Sequence, residues 1–112
     1  MVALTEGFKE GIRARMKRDP ELCREVLKEA LEVLLGGEVD VAKSMLRDYV
    51  IARLGFDELG RLTCKTPQSL MRMLGRTGNP QAGNLGDIIR VLQAHEGVRA
   101  EVRFKKTKAK AA

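Results

Sequence analysis

Gln68, Ser69, Met71 and Arg72 follow directly on a Thr66-Pro67 pair, and three of the four carry side chains that read polar edges. A glutamine amide pairs bidentately with adenine, an arginine guanidinium with guanine, and a serine hydroxyl bonds a base edge or a phosphate. Lys65 before the group and Arg76 after it are cations suited to holding phosphates, which adds affinity and salt dependence more than sequence choice. From residue 59 through residue 86 there is no Asp or Glu, whereas Arg61, Lys65, Arg72 and Arg76 all fall in that window. A polyanion can lie there without meeting a carboxylate.

Such side chains need a stiff support. Thr66 is a helix-capping residue, and Pro67 at the first helical position has the right backbone angle and no N–H to leave orphaned. The spacing predicts a helix over 66–74 with Leu70, Met73 and Leu74 inward and Gln68, Ser69, Met71 and Arg72 outward. Residues 56–62 form a short helix ahead of it, and the sharp turn at Cys64-Lys65 asks for a small residue because the two helices approach closely. Two short helices in this order can lay the second in the major groove of DNA, with the free N–H groups at the Thr66 end favouring phosphate.

The remaining elements are also helical. Thr5 caps a first helix to about residue 17, with Phe8, Ile12 and Met16 as a narrow apolar seam. Asp19-Pro20 starts a second, whose buried face is Leu22, Val26, Leu27, Ala30, Leu31, Leu34 and Leu35, and Gly36-Gly37 ends it. Asp40 is the expected cap of a third, in which Val41, Met45, Leu46, Tyr49, Val50 and Leu54 recur with helical period. After Gly78-Asn79-Pro80 a longer helix spans 81–95 with Leu85, Ile88, Ile89 and Leu92 inward. Six helices result.

Past Gly97 the period changes to two: Val98, Ala100, Val102 and Phe104 alternate with Arg99, Glu101, Arg103 and Lys105, as in a β-strand. A lone strand in a helical chain leaves its N–H and C=O groups unpaired, so its partner is expected from a second molecule, with an internal hairpin to residues 2–4 as the alternative. The expected organisation is N-terminal helices over 1–37, a helix-turn-helix unit over 38–97, a strand over 98–104 and a disordered basic tail over 105–112. Six cations against Glu101 concentrate +5 of the net +6 charge in residues 99–112, which makes this end either a solvated terminus or a non-specific phosphate-binding arm.

Composition removes several classes. No apolar run approaches the ~20 residues that cross a bilayer, and residues 1–16 carry Glu6, Lys9, Glu10, Arg13 and Arg15 rather than a signal-peptide core, so a soluble cytoplasmic protein is expected. Cys23 and Cys64 are far apart with no CxxC and only His95 as a nitrogen donor, which argues against metal, cofactor and disulfide and reads both thiols as small, partly buried residues. His95 is solitary and no nucleophile has a base beside it, so no enzymatic role is expected. Gly75, Gly78, Gly83 and Gly86 lack phosphate-loop spacing and read as turn and packing positions.

The stretch GFDELGRLTCKTPQSLMRMLGRTGNP, and with it residues 46–98, resembles the lambda-repressor-like (Xre-type) helix-turn-helix of bacterial regulators. Within that group it is most similar to the addiction-module antidotes, the HigA-like antitoxins. The resemblance implies a five-helix DNA-binding domain, usually a homodimer on double-stranded operator DNA at its own promoter, that as an antitoxin neutralises a small ribonuclease toxin. Its base-reading positions fall on Pro67, Gln68 and Arg72, with Ser69 beside them. Two positions depart from the pattern: Cys64 replaces the usual turn glycine, and Phe56 stands where a phosphate-gripping Gln is common. The expected protein is therefore a mainly all-α, sequence-specific transcriptional repressor; the rival is a protein-interaction module whose N-terminal helices clamp a toxin or other partner, the helix-turn-helix being scaffold only.

Overall fold

A computed structural model describes residues 6–108 as six α-helices in the expected order. They are α1 (Glu6–Arg18), α2 (Pro20–Leu35), α3 (Val39–Arg53), α4 (Gly55–Thr63), α5 (Pro67–Met73) and α6 (Ala82–Glu96). Local chemistry sets most of their ends. The Asp19 carboxylate accepts from the N–H groups of Glu21 and Leu22, and Pro20 sits at the first helical position. At the other end Gly37, at φ 91°, turns the chain outward while the Glu38 N–H reaches back to the Val33 carbonyl at 3.1 Å.

Helix α3 is the spine of the molecule. It packs against α2 and α1 on one side and α4 on the other, and α4 in turn carries α5 and α6. Its residues Ala42, Leu46, Tyr49 and Val50 are fully buried, and the last three join Met16, Cys23, Leu27 and Ala30 to Leu59, Leu70, Leu74, Ile88 and Leu92 in one continuous core. The N-terminal helices thus share their core with the helix-turn-helix segment.

Two expectations need correction, and a third is not met among the described residues. Asp40 does not cap α3; Glu38 precedes the helix without a side-chain bond to it, and Asp40 lies in the first turn, 3.4 Å from the Lys43 ammonium. Leu35 is 72% exposed rather than buried, because α2 ends there and the chain turns away from the core. Among the described residues there is no β-strand. Val98 packs partly buried against the core, Ala100 is exposed, and Val102 and Phe104 face solvent, with no second strand among the described residues alongside to complete a ladder. The Thr5 cap, the Phe8 side chain, the hairpin to residues 2–4 and the last tail residues, 109–112, lie outside the described residues.

A buried carboxylate ties three helices together. Glu96, the last residue of α6, accepts from the Tyr49 hydroxyl at 2.5 Å and faces Arg53 of α3 at 3.5 Å and Arg24 of α2 at 3.7 Å. Its own side chain is 3% exposed, so the ion pairs are weakly screened. Burial, reinforced by the bond to Glu96, holds the Tyr49 phenol proton far above its ordinary value of 10.0. Burial also raises the Cys23 thiol from 9.0, against the opposing pull of Arg53, and that thiol donates to the Met16 carbonyl at 2.9 Å.

Both groups bind their protons more tightly folded than unfolded, so their contribution is fully present below pH 9.0 and is lost as pH rises past 9.0 and then 10.0, where the unfolded chain ionises. Chemical denaturation across pH 8–12 is expected to show stability falling by up to about 1.4 kcal/mol per pH unit for each such proton. In Tyr49→Phe the fall above pH 10.0 is shallower, and an unchanged profile would remove the phenol from this account.

Candidate nucleic-acid interface

Helix α5 has only seven residues, too few to persist alone in water. Leu70, fully buried, and Leu74, 2% exposed, anchor its inner face, each contributing about 1.5–3 kcal/mol of burial. At its start the Thr66 hydroxyl accepts from the Ser69 N–H at 3.1 Å. The Lys65 N–H bonds the Gly60 carbonyl at 3.1 Å, closing the turn between α4 and α5.

The close approach of the two helices is made at Gly60. A Cβ there would stand 2.7 Å from the Lys65 carbonyl oxygen and 3.4 Å from Pro67 Cδ. Cys64, expected to supply smallness, supplies a left-handed backbone instead, at φ 58° and ψ 37°, and is exposed rather than partly buried. It is the one non-glycine residue with positive φ among the described residues. A residue with a Cβ is strained there by about 1–2 kcal/mol.

The far end of α5 is held by a device that sequence reasoning missed. The chain folds back over the helix so tightly that a Cβ on Gly78 would lie 1.9 Å from the Arg72 carbonyl oxygen. The Gly78 carbonyl then accepts from the ammonium of Lys43, a lysine 4% exposed in α3. The signal for it was present: Lys43 falls on the same helical stripe as Leu46 and Val50, where an apolar residue is normal.

These supports leave one face of α5 open. Gln68 and Arg72 are exposed, Met71 is 46% exposed, and their spacing of three and four residues places them on one stripe. Ser69 is half-buried and, with Arg72, borders a shallow groove of about 340 Å3 whose other wall is residues 77–80. Pro67 is half-buried, and Thr66 is exposed with its oxygen engaged in the cap. Phe56, in the position of the usual phosphate-gripping Gln, is buried in the core.

The cations divide into two pairs. Lys65 lies 3.1 Å from the Asp87 carboxylate of α6 with its side chain only 18% exposed, and Arg61 makes two bonds to Glu58, at 2.7 and 2.8 Å. Those bonds from Arg61 hold the Glu58 carboxyl below its ordinary range. Both carboxylates lie just outside the acid-free window, so the fold returns to it two of the charges the sequence had excluded. Arg72 and Arg76 are exposed and form no ion pair with a described residue.

Among the described residues no three His, Cys, Asp or Glu side chains converge on a metal-sized site, and no helix is long and apolar enough to cross a membrane. Comparison with known proteins finds no matching family model, no matching curated protein and no matching solved structure.

Replacing Cys64 by glycine removes the Cβ from a left-handed turn that only glycine enters freely. Cys64→Gly is expected to raise the stability measured by urea denaturation by about 1 kcal/mol, the relief being partly offset by the looser unfolded chain. Gly78→Ala should act in the opposite direction, since a Cβ cannot fit against the Arg72 carbonyl without moving backbone. A loss of stability for the first, or tolerance of the second, contradicts the turn geometry described.

Proposed function

We propose that this chain is a homodimeric, sequence-specific DNA-binding regulator that presents the outer stripe of α5 to the major groove. The observation that carries the reading is the pairing of chemistry and exposure on that stripe. Gln68 and Arg72, the two side chains able to bond adenine and guanine bidentately, are open to solvent on a helix whose opposite face is sealed by Leu70 and Leu74. Arg76 is the cation placed to hold a phosphate, with Lys65 diverted to Asp87. The likeness over residues 46–98 spans part of α3 and all of α4 to α6, four of the five helices it implies, with α4 and α5 as its helix-turn-helix.

The same likeness supports an antitoxin of a two-gene module that represses its own operon and binds a small ribonuclease. In this reading α1 and α2 complete the fold over α3, consistent with Met16, Cys23 and Leu27 being core residues. Toxin binding would then alter repression by changing how the two DNA-reading units are spaced. An adjacent reading frame encoding a small basic ribonuclease-like protein distinguishes the antitoxin from a free-standing regulator.

Titration of the protein on its own upstream DNA and on a random duplex, each at two salt concentrations, tests the reading. A preference of roughly a thousandfold or more is expected, and equal affinity for both duplexes rules out sequence-specific regulation. Arg72→Ala should cost about 1–3 kcal/mol and relax choice at one base pair. Arg76→Ala should weaken every sequence alike and make the salt slope shallower by about 1. Lys65→Ala should cost less than Arg76→Ala, because its ammonium is already engaged by Asp87.

A further inference from the structure

Beyond Gly97, at φ 73°, the chain runs past α2 and leaves an open groove of about 510 Å3 between them. Leu27, Leu31 and Leu35 of α2 line one wall, Val98 and Val102 the other. Leu35 is 72% exposed, Val102 65% and Phe104 fully so, which sets three large apolar side chains in solvent at one end of the molecule. The segment is also open along its backbone. The N–H groups of Val98 and Ala100 both turn inward, to the main-chain and side-chain oxygens of Gln93 at 3.0 and 2.7 Å. The N–H groups of Arg99, Glu101 and Arg103 make no hydrogen bond among the described residues, and since neighbouring amides of an extended chain point to opposite sides, these three are the ones left to form an outer edge.

We propose that this edge pairs with the same segment of a second copy of the chain, antiparallel about a two-fold axis at Ala100. An identical pair of antiparallel strands related by a two-fold axis must place one residue opposite itself, because residues on one strand alternate between bonded and non-bonded positions. Charge selects which residue. With Ala100 on the axis, Arg99 lies opposite the partner's Glu101, twice by symmetry, and Val98 lies opposite the partner's Val102. With Glu101 on the axis, two carboxylates face each other and Arg99 meets the partner's Arg103. With Val102 on the axis, Arg99 meets the partner's Lys105, and with Arg99 on the axis two guanidinium groups oppose.

The Ala100 register alone has no like-charge pair. It makes Ala100 the non-bonded position, consistent with its N–H being held by Gln93 of its own chain. It also carries the second copy's residue 104 past the end of the ladder, opposite residue 96. Apolar side chains of both strands then fall on one face, over Leu31 and Leu35.

This interface deepens the dimeric state proposed above and does not depend on DNA binding. One cysteine added at residue 100, 101 or 102, each in a Cys64→Ser background that leaves only the buried Cys23, reports the register under mild oxidation. Ala100→Cys is expected to form a covalent dimer readily, and Glu101→Cys and Val102→Cys far less. Analytical ultracentrifugation of the full chain is expected to show a dimer that Arg99→Glu or Glu101→Arg weakens roughly tenfold or more in Kd, and that the double exchange restores to within about threefold. Val102→Asp should leave the helical circular dichroism unchanged while abolishing the dimer. Preferred cross-linking at residue 101 or 102, or a dimer indifferent to the single charge reversals, overturns this interface while leaving a dimeric regulator intact. A monomer at all concentrations overturns both the interface and the dimer, and the DNA titration remains an independent measurement.

Discussion

A helix of seven residues has almost no stability of its own, so everything α5 presents to solvent depends on how it is gripped from outside. Three grips act together. Leu70 and Leu74 sink into the core shared with α3, α4 and α6; Gly60 lets the α4–α5 turn close to contact distance; and Gly78 lets the following chain lie on the Arg72 carbonyl, where Lys43 fastens it to α3. None of these contacts uses the outer stripe. The stability of α5 and the chemistry of Gln68, Met71 and Arg72 are thus assigned to opposite faces of one short element, and the outer face is free to carry residues chosen for what they bind.

Electrostatics follow the same division. An acid-free window of sequence suggested four cations unopposed by carboxylates, but the fold brings Asp87 of α6 against Lys65 and lets Glu58 neutralise Arg61 one turn earlier. The cationic character that remains is carried by Arg72 and Arg76, at the end of α5 and just beyond it. A field confined to that end of the helix favours an anion presented alongside the outer stripe over one lying across the whole helix pair.

At the opposite end of the core, the Glu96 node fixes where α6 stops and therefore where the last segment begins. The carboxylate is enclosed by Tyr49, Arg53 and Arg24, so the last turn of α6 is held to α3 and α2 together. Removing Glu96 would leave the Tyr49 hydroxyl and the Arg53 guanidinium without their shared partner, whereas Arg24, with its side chain 56% exposed, can be lost at little cost. Gly97 then turns the chain back along α2, and the period-two segment emerges with its inward amides spent on Gln93 and its outward ones free. Rigid anchoring at one end and an open edge at the other are the conditions under which a short strand can pair with an identical one.

What was determined by sequence alone were the features set within a few residues: six helices in order, the Asp19-Pro20 and Thr66-Pro67 starts, the glycine stops, and the inner and outer faces of α5. Periodicity and caps act over one or two turns, which is why they could be read without a structure. Misplaced features were helix ends shifted by a residue or two, and missed ones were those whose partners lie far along the chain. Leu35 sat on the correct stripe but past the last neighbour that could cover it, and Asp40 had the right chemistry for a cap in a helix whose cap position falls two residues earlier, at Glu38. Lys43 to Gly78, Lys65 to Asp87 and Tyr49 to Glu96 span 35, 22 and 47 residues of sequence, and no local pattern encodes such meetings. Only the tertiary structure decided which cations stay unpaired, which glycines are indispensable and that the alternating segment finds no ladder among the described residues, because charge pairing, close approach and strand pairing all depend on distance in space rather than on distance along the chain.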